Sequence, residues 1–227
     1  MAPAAPGTGI TADSAAAARA RVGVLLSGRG SNFVALAQAL ACGVAPAQIV
    51  LDVSNVADAP GLARARELGL PTAAIPQRGF ASRAAHEAAV EKALRDAGVE
   101  WLCLAGYMRL LSPEFVAARA ERILNIHPSL LPAFPGLHPQ RQALAAGVRL
   151  SGCTVHFVDA GLDSGPIVVQ RAVPVEDDDD EEKLAARILG EEHRAYPEAL
   201  RRLLTESWKI DGKRLIFLGR AQDTKKV

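Results

Sequence analysis

This sequence has few cysteines, few aromatic residues and no long hydrophobic run. Only Cys42, Cys103 and Cys153 are present, an odd number without a CxxC pair, which argues against a disulfide framework and against a zinc site built on paired cysteines. No pair of histidines has metal-ligand spacing either. No apolar stretch approaches the length of a membrane span. We therefore expect a cytoplasmic protein that binds neither a metal ion nor a membrane.

The sequence also lacks an excess of charge of either sign. Its 26 basic and 25 acidic residues leave a net charge of +1, which argues against a nucleic acid held by bulk charge but allows a local anion pocket. The 49% hydrophobic content suffices for one core, so we expect a single domain over residues 21–218. The Ala-rich residues 1–20 lack the features of a signal peptide and predict a disordered tail, and residues 219–227 predict a frayed end.

Short apolar runs alternate with segments of helical periodicity through the first 126 residues. Strands are predicted at 21–26, 49–53, 72–75, 100–105 and 122–126, and helices at 31–42, 58–68, 82–96 and 113–120. Continuously apolar strands in this alternation are typical of an α/β fold with a parallel sheet covered on both faces.

The pattern changes after Gly136. A short helix is predicted at 140–146, and strands at 153–158 and 167–175 lie too close in sequence for a helical crossover, which predicts an antiparallel pair. The acidic run 176–182 predicts a solvated loop and the start of a long helix that ends near Leu204. Residues 208–217, with Asp211-Gly212 between apolar ends, predict a hairpin.

Asn125 and His127 stand two residues apart, at the end of a predicted strand and before a turn that contains Pro128 and Pro132. On a strand, this spacing puts both side chains on one face. An Asn amide is a neutral hydrogen-bond donor, and a His is an acid or base that titrates near neutrality. The pair is typical of acyl-type transfer, in which one group stabilises an oxyanion and another moves a proton. A structural role for His127 is the alternative.

A glycine-containing loop, Ser27-Gly-Arg-Gly-Ser-Asn32, separates the first predicted strand from the first predicted helix. Exposed N–H groups at a helix start bind anions, phosphate above all. No Gly-Lys-Ser/Thr follows, and Phe33 occupies the third glycine position of a dinucleotide fingerprint. The loop therefore suits a single terminal phosphate, and an ordinary strand-to-helix turn is the alternative.

Two carboxylates are further candidates. Glu192 falls on the apolar stripe of the last long helix, where a carboxylate is costly unless it is paired or binds a ligand. A partner Arg, or a stripe edge that reaches water, is the alternative. Asp163 lies in a Gly-containing loop, where an Asp usually makes a turn hydrogen bond. Beside His127, however, it would orient the ring and favour its charged form. The sequence does not show whether the two side chains meet.

A third group of residues is a candidate lining for a cleft that takes a flat, anionic ligand. It comprises Arg83, near a helix start, and the segment Met108-Arg109-Leu110-Leu111, which follows a strand end and Gly106. Core packing is the alternative for Met108 and Leu110. His138, His156 and His193 are interpreted as structural histidines, His156 above all because it lies within a strand pattern.

Five motifs in order together resemble the glycinamide ribonucleotide formyltransferases, a folate-dependent family of purine biosynthesis. They are Ser27-Gly-Arg-Gly-Ser-Asn32, Ala105-Gly-Tyr-Met-Arg-Leu-Leu-Ser112, Asn125-Ile-His-Pro-Ser-Leu-Leu-Pro132, Gly152-Cys-Thr-Val-His-Phe-Val158 and Leu162-Asp-Ser-Gly-Pro166. The resemblance runs in one register from about Val22 to about Phe217. It implies a Rossmann-like formyltransferase fold with an antiparallel strand addition in its C-terminal half.

The resemblance also implies an activity and a set of site residues. The activity is formyl transfer from 10-formyltetrahydrofolate to the amine of 5′-phosphoribosylglycinamide, without a metal, by a monomer or homodimer. A phosphate-binding half would extend to about residue 120, with a folate and catalytic half after it. By motif, the catalytic residues are Asn125, His127 and Asp163. The substrate contacts are Gly30, Ser31, Asn32 and Glu192. The folate contacts are Arg83, Met108, Arg109, Leu110, Leu111, Asn125, Asp159, Ala160, Gly161 and Leu162.

Three other functions compete with this interpretation. A formyltetrahydrofolate deformylase would carry a regulatory domain before the catalytic one, and the stretch before residue 21 is too short for it. A methionyl-tRNA formyltransferase would carry an RNA-binding domain and a basic surface, which neither the length nor the charge allows. A non-catalytic nucleotide-binding module, in which His127 is structural, is the third.

Overall fold

The computed structural model describes residues 19–219, which form one nine-stranded sheet with helices on both faces. The strands are β1 (Ala20–Leu26), β2 (Ala47–Ser54), β3 (Thr72–Ala74), β4 (Trp101–Leu104), β5 (Ile123–His127), β6 (Leu150–Phe157), β7 (Ile167–Pro174), β8 (Trp208–Asp211) and β9 (Arg214–Phe217). The helices are α1 (Ser31–Ala41), α2 (Pro60–Glu67), α3 (Arg83–Asp96), α4 (Pro113–Ala118), α5 (Pro139–Ala145) and α6 (Glu181–Thr205). A 3₁₀ turn spans Gln77–Gly79.

The strand order is β3-β2-β1-β4-β5-β6-β7-β9-β8. The five strands from β1 to β5 pair in parallel, whereas β6 pairs antiparallel with both β5 and β7. The β8–β9 hairpin joins the sheet through β7. The predicted α/β fold with an antiparallel addition is confirmed, and so are the antiparallel pair β6–β7 and the final hairpin.

Two apolar clusters cover the two faces of the sheet. One packs α1, α2 and α6 against the sheet, with Leu36, Leu62 and Ile188 fully buried. The other packs α3 and α4, with Leu94 and Phe115 buried. Apolar residues of β1, β2, β4 and β5 enter both clusters, so these strands are largely hydrophobic on both faces, as is typical of parallel strands between two helix layers.

Helix α6 begins where the acidic run ends. The Asp180 carboxylate accepts a hydrogen bond from the Lys183 N–H at 2.7 Å and caps the helix, and Glu181 and Glu182 occupy its first turn. Acidic side chains are favoured there by the helix dipole. The predicted loop and helix start are therefore confirmed.

A buried tyrosine fixes α6 against the sheet. The Tyr196 hydroxyl lies 3.0 Å from both the Leu104 and the Leu124 carbonyl oxygens, to which it donates. Leu104 is the last residue of β4, and Leu124 is the second residue of β5. Since Glu192 lies one turn before Tyr196 on α6, this contact also sets the position of Glu192 relative to β5.

Predictions for the two termini lie largely outside the described residues, because residues 1–18 and 220–227 are not among them. Between residues 19 and 219, no helix is long and apolar enough to cross a membrane.

Asp52 is a fully buried carboxylate on β2, next to the edge strand β3. Neither of its carboxylate oxygens has a hydrogen-bond partner among residues 19–219. Burial raises the pKa of Asp52 from 3.8 to about 8, because the charged form has lost its water. Between these values the folded protein retains a proton that the unfolded chain has released, so Asp52 lowers stability as the pH rises through this window.

We expect Asp52→Asn to remove this pH dependence. The free energy of unfolding, measured by urea denaturation from pH 4 to pH 8, should fall less steeply in the variant, and at pH 8 the variant should gain on the order of a few kcal/mol. Asp58→Asn, at an exposed position before α2, is the matched control and should leave the profile unchanged. Equal slopes for Asp52→Asn and the parent chain would contradict the prediction.

Candidate active site

The candidate site lies at the carboxyl ends of the parallel strands, beside β1. From β1 the chain runs outward through β2 to β3 and then returns to β4 on the other side of β1. Loops that leave β1 and β4 therefore diverge, and such a switch point is the usual ligand crevice of an open α/β sheet. The loop at residues 27–30, the segment 106–112 and the end of β5 all border it.

Asn125 and His127 lie on β5, toward the carboxyl end of the strand that borders this crevice. Asn125 is half-buried and His127 is buried, and their alternate positions place both side chains on one face. Across the antiparallel pair, Asn125 lies opposite His156 and His127 lies opposite Thr154. The pairing of β6 with β5 therefore lines the same face with a second pair of polar residues.

His127 and Asp163 meet, which answers the question that the sequence left open. Nδ1 of His127 lies 3.4 Å from Oδ2 of Asp163, and Nε2 lies 2.9 Å from the Phe134 carbonyl oxygen. Both ring nitrogens thus face oxygen atoms that can accept a hydrogen bond. The Asp163 carboxylate also accepts from the Gly136 N–H at 2.9 Å, so it ties the loop after β5 to the loop after β6.

His156 lies inside the site, although the sequence pattern gave it a structural role. Its Nδ1 lies 2.8 Å from the Phe157 carbonyl oxygen, and its Nε2 lies 3.2 Å from Nδ2 of Asn125 and 3.8 Å from Oδ1 of Asp163. Burial lowers the pKa of His156, which keeps the ring neutral. A neutral ring that donates from Nδ1 has a bare Nε2, which accepts from the Asn125 amide and so orients it. A signal was available, since Thr154 and His156 are alternate polar residues of an otherwise apolar strand.

The turn after β5 is held by side chains from β6 and β7. The Thr154 hydroxyl donates to the Ser129 carbonyl at 2.7 Å and accepts from the Leu131 N–H at 3.0 Å. The Gln170 amide donates to the Leu131 carbonyl at 2.8 Å. The Leu131–Pro132 peptide bond is cis. Together these contacts fix the segment between His127 and Gly136. The Gly136 N–H is the group that donates to the Asp163 carboxylate.

Gly30, in the loop between β1 and α1, is the N-cap of α1. Its φ of 71° is left-handed, and a Cβ at this position would lie 2.9 Å from the Gly61 Cα, so both its conformation and the close approach of α2 require glycine. No side chain caps α1, which leaves the N–H groups of its first turn, Ser31 and Asn32 included, without a capping partner. The geometry is that of an anion site at a helix start.

Asn32 and Glu192 come together at the start of α1. The Asn32 Nδ2 group donates to Oε2 of Glu192 at 2.7 Å, and Glu192 is only 6% exposed. Burial raises the pKa of Glu192, and the hydrogen bond from Asn32 opposes that shift. The inward direction of Glu192 predicted from its stripe is confirmed. Its partner is an amide rather than an arginine, and Oδ1 of Asn32 has no partner among the described residues.

The predicted folate segment after β4 borders the other side of the crevice. Met108 and Leu110 are 68% and 66% exposed, so core packing, the alternative for these two, does not apply. The Ser27 hydroxyl accepts from the Met108 N–H at 2.9 Å and donates to Oδ1 of Asn55 at 2.6 Å. The Arg83 guanidinium donates to the Leu110 carbonyl at 2.5 Å. The structure thus brings Arg83 to the segment and fixes the segment's backbone.

The loop that carries Asp163 is shaped by Asp159. Its carboxylate accepts from the Gly161 N–H at 3.0 Å and from the Ser164 hydroxyl at 2.8 Å. Asp163 itself has a left-handed φ of 50°. Ala160 and Leu162 are exposed on this loop.

The site places the oriented amide donor of Asn125 beside the His127 ring and the Asp163 carboxylate. An amide N–H that points into a water-poor cleft stabilises negative charge that develops on an oxygen. A histidine and a carboxylate within ion-pair distance can hold and move a proton. No group of three or more His, Cys, Asp and Glu between residues 19 and 219 is arranged to hold a metal ion.

Comparison with known proteins defines the class. The profile of the formyl transferase family matches residues 20–200, so the chain belongs to the formyl transferase family. A crystal structure of glycinamide ribonucleotide transformylase 1 from Symbiobacterium toebii is 49% identical, with a TM-score of 0.86 over 88% of this chain and 94% of that one.

Two curated relatives carry related names. The phosphoribosylglycinamide formyltransferase of Escherichia coli K12 is 43% identical over 84% of this chain and 87% of its own length. The trifunctional purine biosynthetic protein adenosine-3 of Drosophila pseudoobscura pseudoobscura is 52% identical over 80% of this chain. The match spans only 14% of that much longer protein.

We expect His156→Leu to lower turnover by roughly fivefold, because the Asn125 amide would lose the acceptor that orients it, and one such hydrogen bond is worth about 1 kcal/mol. Circular dichroism checks that the variant folds.

A double-mutant cycle with Asn125→Ala distinguishes loss of the orientation of the Asn125 amide from a general disturbance of the site. If His156 acts through Asn125, His156→Leu should cost little more once Asn125 is already Ala. Full additivity of the two losses would contradict the prediction.

Proposed function

We propose that this chain transfers the formyl group of 10-formyltetrahydrofolate to the amine of 5′-phosphoribosylglycinamide. The products are phosphoribosyl-N-formylglycinamide and tetrahydrofolate, and the reaction belongs to de novo purine biosynthesis. The observation that carries the proposal is the cluster of Asn125, His127 and Asp163 at the end of β5 in a chain of the formyl transferase family. The names of the relatives support the choice of substrate.

The proposed chemistry begins with attack of the substrate amine on the formyl carbon. The formyl oxygen then carries negative charge, and the Asn125 amide donates a hydrogen bond to it. The amine nitrogen loses a proton as its bond to the formyl carbon forms, and the folate nitrogen gains one as its own bond to that carbon breaks. His127, with Asp163 beside it, accepts the proton from the amine and returns it to the leaving folate nitrogen. His156 keeps the Asn125 amide directed at the oxyanion.

The substrate phosphate is proposed to bind at the start of α1. Gly30 opens the loop, and the N–H groups of Ser31 and Asn32 stand at the positive end of the helix dipole. Oε2 of Glu192 lies 2.7 Å from Nδ2 of Asn32. Glu192 would contact the glycinamide portion of the same substrate. One molecule that spans both groups would extend from α1 toward β5.

The folate is proposed to bind on the opposite side, against the segment after β4 and the loop after β6. Exposed apolar side chains there suit a flat ring, and arginine suits an anionic tail. The proposed contacts are Arg83, Met108, Arg109, Leu110, Leu111, Asn125, Asp159, Ala160, Gly161 and Leu162. We also propose that the chain acts as a monomer or homodimer in the cytoplasm, without a nucleic-acid partner.

An assay of substrate dependence tests the proposal. We expect purified protein to release tetrahydrofolate from 10-formyltetrahydrofolate only when phosphoribosylglycinamide is present, because the amine is the nucleophile. Spectrophotometric detection of tetrahydrofolate measures the rate. Equal release without the amine would indicate a deformylase, and no release with binding of phosphoribosylglycinamide would indicate a non-catalytic nucleotide-binding module.

We expect Asp163→Asn and His127→Ala each to lower kcat by ~10²–10³, the usual cost of removing one oxyanion-stabilising group. Asp163→Asn retains an acceptor for Gly136 but removes the charge beside His127. The matched control is Asp177→Asn, an exposed carboxylate of the acidic run. Parent-like turnover in both site variants would refute the catalytic assignment.

A further inference from the structure

Glu87 is a buried carboxylate on α3 that none of the contacts above uses. It is 7% exposed, and its Oε1 accepts two hydrogen bonds, from Nε of Arg83 at 3.0 Å and from the Ser112 N–H at 2.9 Å. A buried carboxylate is costly unless such donors satisfy it. Glu87 therefore has donors from two separate parts of the chain, its own helix and the segment after β4.

Arg83 closes a ring with the same segment. Its Nη2 donates to the Leu110 carbonyl oxygen, while its Nε donates to Glu87 and Glu87 accepts from Ser112. Two backbone groups, two residues apart, are thus bound by one ion pair on α3. The ring fixes the position and direction of the backbone from Leu110 to Ser112.

The start of the segment is fixed separately. The Ser27 hydroxyl accepts from the Met108 N–H, and the Arg109 side chain contacts the Gln77 side chain. Between these anchors the Met108 and Leu110 side chains remain more than half exposed. A backbone that is bound at both ends while it presents apolar side chains to solvent is a preformed wall for a ligand.

The charge of Glu87 is maintained in spite of its burial. Burial alone would raise the pKa of Glu87, but hydrogen bonds from Ser112 and Arg83 and the positive charge of Arg83 bring it below its usual value. Glu87 is therefore a carboxylate at neutral pH.

The bonds to Glu87 and Leu110 leave Arg83 with fewer N–H groups that can donate to a ligand. Its Nε and Nη2 groups are committed to Glu87 and Leu110, which leaves Nη1 as the group without a bond in this ring. These two bonds hold the guanidinium in one orientation, and 44% of the Arg83 side chain is exposed. The orientation of any contact from Arg83 to an anion then depends on Glu87.

We propose that Glu87 is a positioning residue for the folate co-substrate: it fixes Arg83 and the backbone of residues 110–112 so that the segment after β4 forms one wall of the folate site. This inference rests on the proposed function, since it takes the reduced folate as the ligand of that wall. It implies that Glu87, on α3, affects binding of the folate co-substrate and not binding of phosphoribosylglycinamide. The phosphate and Glu192 contacts at α1 lie on the other side of the crevice.

The test compares Glu87→Gln with the parent chain in steady-state kinetics. The isosteric amide retains an acceptor for one donor but loses the charge that pairs with Arg83. We expect KM for 10-formyltetrahydrofolate to rise roughly tenfold, the usual effect of losing one hydrogen bond to a charged group. KM for phosphoribosylglycinamide and kcat should stay within about twofold. Equal rises in both KM values, or a fall in kcat alone, would overturn the inference.

Glu91→Gln is the matched control on the same helix. Glu91 lies one turn after Glu87 and pairs with Arg119 and Arg95, away from the folate segment. A purely structural role for Glu87 would make the two variants alike, with similar losses of thermal stability and similar kinetics. We expect a loss of stability in both and a selective rise in folate KM only in Glu87→Gln.

Calorimetric binding of tetrahydrofolate separates this inference from the proposed function. If the parent chain binds tetrahydrofolate but transfers no formyl group to phosphoribosylglycinamide, the proposed function fails while the binding comparison still tests Glu87. Glu87→Gln should then bind tetrahydrofolate roughly tenfold more weakly than either the parent or Glu91→Gln. Parent-like affinity in Glu87→Gln would overturn the inference whatever the outcome of the assay.

Discussion

The antiparallel pairing of β6 with β5 is the constraint on which the candidate site depends. Five parallel strands alone would leave Asn125 and His127 at a sheet edge with one row of polar side chains. Pairing with β6 in this register places His156 opposite Asn125 and Thr154 opposite His127. The same strand leads directly into the loop that carries Asp163, so one pairing brings His156, Thr154 and Asp163 to their partners on β5 and in the turn after it. A slip of one residue would direct His156 and Thr154 to the other face.

Two kinds of support surround this centre, and in the proposed function they serve different substrates. On one side, Tyr196 ties α6 to the backbone of β4 and β5 and thereby places Glu192 against Asn32. On the other side, Arg83 and Glu87 bind the backbone after β4. Most of these polar contacts are buried or half-buried, and only the one from Arg83 to the Leu110 carbonyl is exposed. They are made to backbone or to charged partners, so both walls of the crevice are held by hydrogen bonds within the protein itself.

Much of the fold was predictable because its signals are local. Alternating apolar runs and helical stripes placed every strand and α-helix to within a few residues, since burial between two helix layers demands continuous hydrophobicity in the strands. Glu192 was predictable for the same reason, as a carboxylate on an apolar stripe. His156 was not recognised, because its role depends on which residue of a strand 31 positions away lies opposite to it. Glu87 was missed as well, since Ser112 reaches it only through the packing of α3 against the segment after β4.

The sequence by itself determined the fold class, the order of elements and the family, and it predicted a set of candidate site residues. These follow from periodicity, from turn chemistry and from motifs that are contiguous in the chain. Only the tertiary structure decided that His127 meets Asp163, that His156 orients Asn125 and that Asn32 satisfies Glu192. Such contacts join residues from about 30 to 160 positions apart. Their geometry depends on strand register and helix packing, which no local pattern encodes.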